Sequence, residues 1–354
     1  MLMSKTSQSP PGLPADIARP LAAACARVAE LKPWEFMSDL HAVGVRDGPT
    51  GALHVASVLG TLRQVFGIIF YRGPLGLAYI HKMVTEPGTP DPEVVIEALD
   101  YMQVEWTTKS ELRRTDRETL ANASLQPASS GKVWPKFTSC EPGWFPWFPR
   151  ASEAKRLTGF IEKVNRFARL FKRATNLYED HPAGEVPIIP AGPEDTLQPA
   201  EIQWLPLVLA PVPLPEPLVL SAQERSALQA LPARPGCTFE LLAKLTPEMP
   251  VFDEEARRPA CGRIGLLCDS DSRYVLAVKF VHGAAPLREA ARNAFVNGLL
   301  KAQIRPVCIR VESEKLLEVI RPASEAIGVG LELAESLPAA SDVLAHLVDF
   351  RSRR

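Results

Sequence analysis

The sequence predicts an α+β protein of two domains: an N-terminal antiparallel meander packed with helices, then a C-terminal small α/β layer domain. Three observations predict it. The 354 residues exceed what a single hydrophobic core usually organises. Short apolar runs punctuated by Gly, Pro and Asp fill the early chain, whereas apolar strands alternate with amphipathic helices near its end. Between residues 181 and 262, 15 of 82 positions are proline, and 5 Lys+Arg stand against 11 Asp+Glu.

The N-terminal domain is expected over residues 16–180, behind a disordered tail at 1–15. A helix with one apolar face covers 16–31 and stops at Lys32-Pro33-Trp34. Strands at His41–Arg46, Leu53–Leu59 and Val65–Tyr71 are separated by Asp47-Gly48-Pro49 and Gly60-Thr61, the spacing of a meander. Helices near Pro74–Val84 and Pro92–Leu99 follow, then strand Met102–Trp106 and a polar helix at Lys109–Leu120. Val133–Pro149 is aromatic and proline-studded, and it leads into a long helix at Ser152–Thr175.

Residues 181–262 read as a proline-rich acidic connector. A run such as LAPVPLPEPLVL excludes helix and favours extended backbone, yet it is apolar enough to lie against folded parts. Ile202–Leu209 and Cys237–Leu245 are its candidate edge strands. The C-terminal domain, 263–354, begins with a hairpin of Arg263–Asp269 and Arg273–Val281. Helix Pro286–Ala302, strand Val307–Val311, helix Glu314–Ile327, strand Val329–Leu333 and helix Ala339–Val348 complete it, with parallel crossovers among the last strands. Pro306 and Gly328 punctuate at a strand start and a helix end.

Composition narrows the function classes. The net charge of −1 gives no global field to steer the chain onto nucleic acid or membrane. No apolar run reaches the roughly 20 residues that span a bilayer, and the opening MLMSKTSQSPPGLPAD lacks the apolar core of a secretory signal. The six cysteines form no CxxC pair and sit largely in apolar patterns, so they are expected as free thiols in a cytosolic protein. His and Cys show no zinc spacing, and no metal or cofactor is expected.

Four constellations are candidates for function. In the long helix, Lys155, Lys163, Arg166, Arg169 and Arg173 fall opposite the apolar face, a stripe suited to a partner-binding surface. Acidic residues of the connector, Glu194, Asp195 and Glu201 or Asp253–Glu255, are expected to cover this stripe if a partner does not. Trp144 and Trp147 lie in a loop stiffened by prolines, which suits either a binding platform or a core plug. Phe70–Gly76 is a strand-to-helix turn where Arg72 stands near a helix N-terminus; it lacks both GxxxxGK[ST] and GxGxxG. The last constellation is a set of acids, Asp269, Asp271, Glu312, Glu314, Glu332 and Glu335, at strand ends of the C-terminal domain. That element order resembles the ribonuclease-H-like nucleases, whose acids hold two metal ions, provided Cys237–Leu245 supplies a third antiparallel strand.

ELKPWEFMSDLHAVGVRDGPTGALHVASVLGTLRQVFGIIFYRGPLGLAYI and WPKFTSCEPGWFPWFPRASEAKRL resemble signatures of one bacterial domain of unknown function. GRIGLLCDSDSRYVLAVKF and IRPVCIRVESEKLLEVIRPASEAIGVGLEL are similar to a second uncharacterised domain that follows it. The resemblance implies a bacterial cytosolic protein of a tandem two-domain family, and it assigns no residue a role. The expectation is a non-enzymatic protein that binds a protein partner, with a metal-dependent protein acting on nucleic acid as the alternative.

Overall fold

The computed structural model describes residues 11–48, 50–85, 99–126, 133–181, 184–190, 197–207, 215–282 and 287–352. Residues 1–10 of the expected tail and the helix expected near Pro92–Leu99 lie outside the described residues. The chain divides into two compact units that meet between Val212 and Pro213, with Gly143–Phe145 counted in the second.

In the N-terminal unit, helix α1 (Ala15–Leu31) precedes strands β1 (Val43–Arg46), β2 (Leu53–Leu59) and β3 (Phe66–Tyr71). Helix α2 (Gly73–Thr85), strand β4 (Tyr101–Thr107), helix α3 (Arg114–Asn122), strand β5 (Trp134–Cys140) and helix α4 (Ala151–Arg173) follow. Strands β6 (Glu185–Ile188) and β7 (Gln203–Pro206) end the unit. The seven strands run in the order β5-β4-β3-β2-β1-β6-β7. β1 to β3 form the expected antiparallel meander, β4 and β5 continue it antiparallel, and β6 joins β1 in parallel.

Alternation sorts the strands between two faces. Ala56, Val58, Ile68, Phe70, Met102, Val104 and Phe137 pack with α1 and α4 in the larger core. Val55, Ile69, Tyr71 and Tyr101 point the other way and pack with Leu77 and Ile80 of α2. The segment before α1 is less loose than expected: the Gly12 and Leu13 amides donate to Glu118 and Thr119 of α3.

The C-terminal unit opens with helix α5 (Ala222–Gln229) and strands β8 (Thr238–Asp253), β9 (Arg258–Asp269) and β10 (Val275–His282). Helices α6 (Leu287–Arg292) and α7 (Gly298–Ala302) are joined by a π-turn at Asn293–Asn297. Strand β11 (Cys308–Val311), helix α8 (Glu314–Ile327), strand β12 (Gly330–Leu333) and helix α9 (Pro338–Ser352) complete it. Strand order is β10-β9-β8-β11-β12, with β8, β9 and β10 antiparallel and β8, β11 and β12 parallel. One face carries α5 to α8 over Phe239, Leu241, Leu267 and Ile309, and the other carries α9 over Leu242, Ile264 and Leu266. Gly265 is required by close packing, because a Cβ there would meet the Ala290 carbonyl oxygen at 2.3 Å. Gly328 ends α8 at φ 67°, the left-handed cap expected of it.

The connector needs correction. Most of its described part is sheet and helix: β6 and β7 extend the first sheet, α5 belongs to the second unit, and β8 is the second unit's central strand. Prolines hid this, and several of them occupy places a sheet tolerates. Pro206 lies in the edge strand β7, and the β8–β9 register shifts between Thr246 and Val251, where Pro247 and Pro250 sit. β5, unrecognised within Val133–Pro149, likewise carries Pro135 on the opposite edge of its sheet. β8 is the third antiparallel strand that the ribonuclease-H-like arrangement requires.

Candidate interaction site on the long basic helix

Helix α4 begins where Glu153 accepts a hydrogen bond from the Arg150 amide at 2.8 Å. Leu157, Phe160, Ile161, Val164, Phe167, Ala168 and Phe171 are buried, as the helical period predicts. The five expected cations do not form one open face. Lys155 and Arg173 are exposed, Lys163 and Arg169 are half-buried, and Arg166 is buried. Arg166 donates to the Pro190 carbonyl at 2.8 Å and Lys163 donates to the Arg46 carbonyl. The stripe is thus partly covered by the chain's own backbone. Of the acids expected to cover it, Glu194 and Asp195 lie outside the described residues, Glu201 accepts from the Gln198 amide, and Asp253 caps the Ala256 amide.

Around the start of α4 the structure assembles a buried ionic network. Arg72 donates to Glu153 at 2.7 Å, to Asp100 at 2.7 Å and to the Cys140 carbonyl at 2.9 Å. The Ser139 hydroxyl adds a 2.7 Å bond to Glu153. Burial pushes the Glu153 carboxyl up, but Arg72, Ser139 and the Arg150 amide together hold it below its ordinary value. For Asp100 burial wins, and its carboxyl stays above the usual range despite Arg72. The turn read as a possible anion site therefore already has its anions, supplied by the fold.

Under the middle of α4 lies a second polar group. His54 on β2 faces the helix, with its ring 4.7 Å from Phe160. It is 6% exposed, and among the described residues neither ring nitrogen has a hydrogen-bond partner. Burial lowers its pKa to about 4, against the pull of Asp47, so the ring is neutral near pH 7. Asp47 is also buried, accepts from the Thr50 hydroxyl, and lies 4.0 Å from Arg156. Sequence reasoning missed His54, since a lone histidine in a strand carries no spacing signal.

The aromatic loop divides. Trp147 packs partly buried on the first core while its backbone pairs with Ser139. Trp144 is counted with the second unit, bridges Ala260 and lies under the Arg258 guanidinium at 5.0 Å.

The C-terminal acids do not converge. Asp269 on β9 accepts from the Ser272 amide and hydroxyl and from the Asp271 amide, closing its own hairpin turn. Glu312 lies beyond β11, on the far side of β8, 3.8 Å from Lys244. The strand registers put them about 10 Å apart along the sheet and about 10 Å across it. Glu332 pairs with Arg310 at 3.1 Å. Among the described residues no group of three or more His, Cys, Asp or Glu is placed to hold a metal ion. No helix among them is long and apolar enough to cross a membrane.

Two family models match, each described as a domain of unknown function. DUF7309 matches residues 19–188, which span β1 to β6, and DUF6930 matches residues 224–348, which span β8 to β12. No curated protein and no solved structure matches the chain. The chain is therefore a tandem of a DUF7309 domain and a DUF6930 domain.

Proposed function

We propose that this chain is a bacterial cytoplasmic protein that works by binding a protein partner, with β10 as the docking strand. The observation that supports this is the outer face of β10. Val278 and Phe280 lie two residues apart on the face that α9 covers farther in, yet they remain 46% and 37% exposed. Tyr274, just before the strand, is 61% exposed. β10 ends the sheet, so among the described residues its outer backbone edge has no strand beside it. An extended segment of a partner protein fits such an edge: its backbone pairs with β10 and its apolar side chains cover Val278 and Phe280.

The test is a V278K/F280K double variant. Its melting temperature should stay within a few degrees of wild type, as expected for exposed positions. A partner enriched with wild type, identified and reconstituted from purified protein, should lose at least about tenfold in affinity for the variant. A reconstituted partner that binds both proteins equally would show that β10 is not the surface.

The alternative, a metal-dependent protein acting on nucleic acid, has β8 in its favour and the separated acids against it. Magnesium or manganese at millimolar concentration is expected to leave the melting temperature unchanged, and RNA and DNA to stay uncut. A metal-dependent rise abolished by Asp269→Asn would reverse the ranking.

A further inference from the structure

We propose that the central turn of α4 binds a small tetrahedral oxyanion, inorganic phosphate or a simple phosphomonoester, through Arg166 and Arg169 with Asn165 beside them. On a helix, residues 165 and 169 stand one above the other, and 166 and 169 are neighbours on the adjoining flank. All three side chains therefore belong to one patch of helix surface.

Their partners do not account for them. Asn165 is 1% exposed, yet among the described residues neither its amide nitrogen nor its oxygen has a hydrogen-bond partner. Arg166 is 5% exposed, and among the described residues its Nε is unpartnered and its one hydrogen bond goes to a neutral acceptor, the Pro190 carbonyl. The Arg169 Nε is also buried without a partner. Glu162, one turn earlier, is placed to pair with Arg166 but is held by Arg27 at 3.0 Å. Burial lowers the Lys163 pKa, with Asp47 opposing and nearby Arg166 adding to the shift.

Buried polar groups are nearly always paired, and a buried cation without an anion is costly to keep. Two guanidinium groups present planar forks of N–H donors, the geometry that matches oxyanions, and their joint charge is balanced by a dianion. The Asn165 amide supplies one further donor, and the half-buried Arg169 offers the side of entry. The site lies on the N-terminal unit, whereas β10 belongs to the C-terminal unit.

The test uses the full chain and inorganic phosphate, with sodium chloride at matched ionic strength as the reference. Phosphate should raise the melting temperature by about 3 °C or more at saturating concentration, and sulfate should do the same. Because Arg166 is buried and its loss perturbs folding, the diagnostic variant is Arg169→Gln, which should weaken phosphate binding about tenfold in titration calorimetry. Arg321→Gln, in the other unit, is the charge control and should leave binding unchanged. Glycerol 2-phosphate separates the two sources: equal affinity indicates a phosphomonoester site, and much weaker affinity a site for the free ion. No shift beyond chloride, or a shift that Arg169→Gln leaves intact, would overturn the proposal.

Discussion

Glu153→Ala is expected to destabilise the N-terminal unit by about 3 kcal/mol, which in a unit of this size lowers the melting temperature by roughly 6–12 °C. Glu153 and Arg72 are both nearly buried and meet at 2.7 Å. Removing the carboxylate strands a guanidinium in the interior and frees the Ser139 hydroxyl and the Arg150 amide at the head of α4. The loss falls at the low end of the range for broken buried pairs, because Asp100 still faces the Arg72 Nε. Glu153→Gln keeps the shape and two acceptor bonds, so it should cost about half as much. Urea melts read both variants. A loss below about 1 kcal/mol for Glu153→Ala would show that the network is solvated and that α4 needs no ionic anchor.

That network marks where sequence reading reached its limit. Strand β2 and helix α8 are legible to the residue, because the short apolar run Leu53–Leu59 bounded by turn residues and the 3.6-residue period in Glu314–Ile327 are local signals. Arg72 was legible as a residue at a turn. What was not legible is that Asp100, Ser139 and Glu153 come to it from 28, 67 and 81 residues away. Only the tertiary fold sets that distance. The prolines misled for a related reason: they forbid helix and suggest a linker, but the sheets accept them at an edge and at an irregularity of register.

The basic helix shows the same division. Its apolar face was readable from periodicity, and the core matches it. Its polar face reads as one stripe in the sequence because the helical wheel treats every outward position alike. The segment after β6 breaks that equivalence. It brings the Pro190 carbonyl to Arg166 and buries Ile189, Leu197 and Ile202 in the same core as α4, while Lys155 and Arg173 near the two ends stay exposed. Of the five cations, only those two are fully exposed.

His54 should make the protein acid-sensitive in a definite window. Its folded pKa is held near 4 by burial, whereas an unfolded histidine titrates near 6.5. Well above pH 6.5 both states are neutral and the group contributes nothing that varies. As pH falls below 6.5 the unfolded chain takes up a proton that the folded ring refuses, so stability drops until pH passes the folded value. The expected loss is about 1.5 kcal/mol at pH 5.5 and about 2.5 kcal/mol at pH 4.5, relative to pH 7.5. Asp47 draws the ring toward protonation, while Arg72, Arg156 and Lys163 oppose it, so the window follows the balance of those four groups. His54→Leu removes the titrating ring and both unpartnered nitrogens but keeps an apolar contact for Phe160. Urea melts of the two proteins at pH 7.5, 5.5 and 4.5 separate this group from the carboxylates, which titrate in both. The wild type should lose stability faster than His54→Leu on acidification, by the amounts given. Parallel curves would mean that the imidazole takes its proton in the folded state as readily as in the unfolded one, and that water reaches it beneath α4.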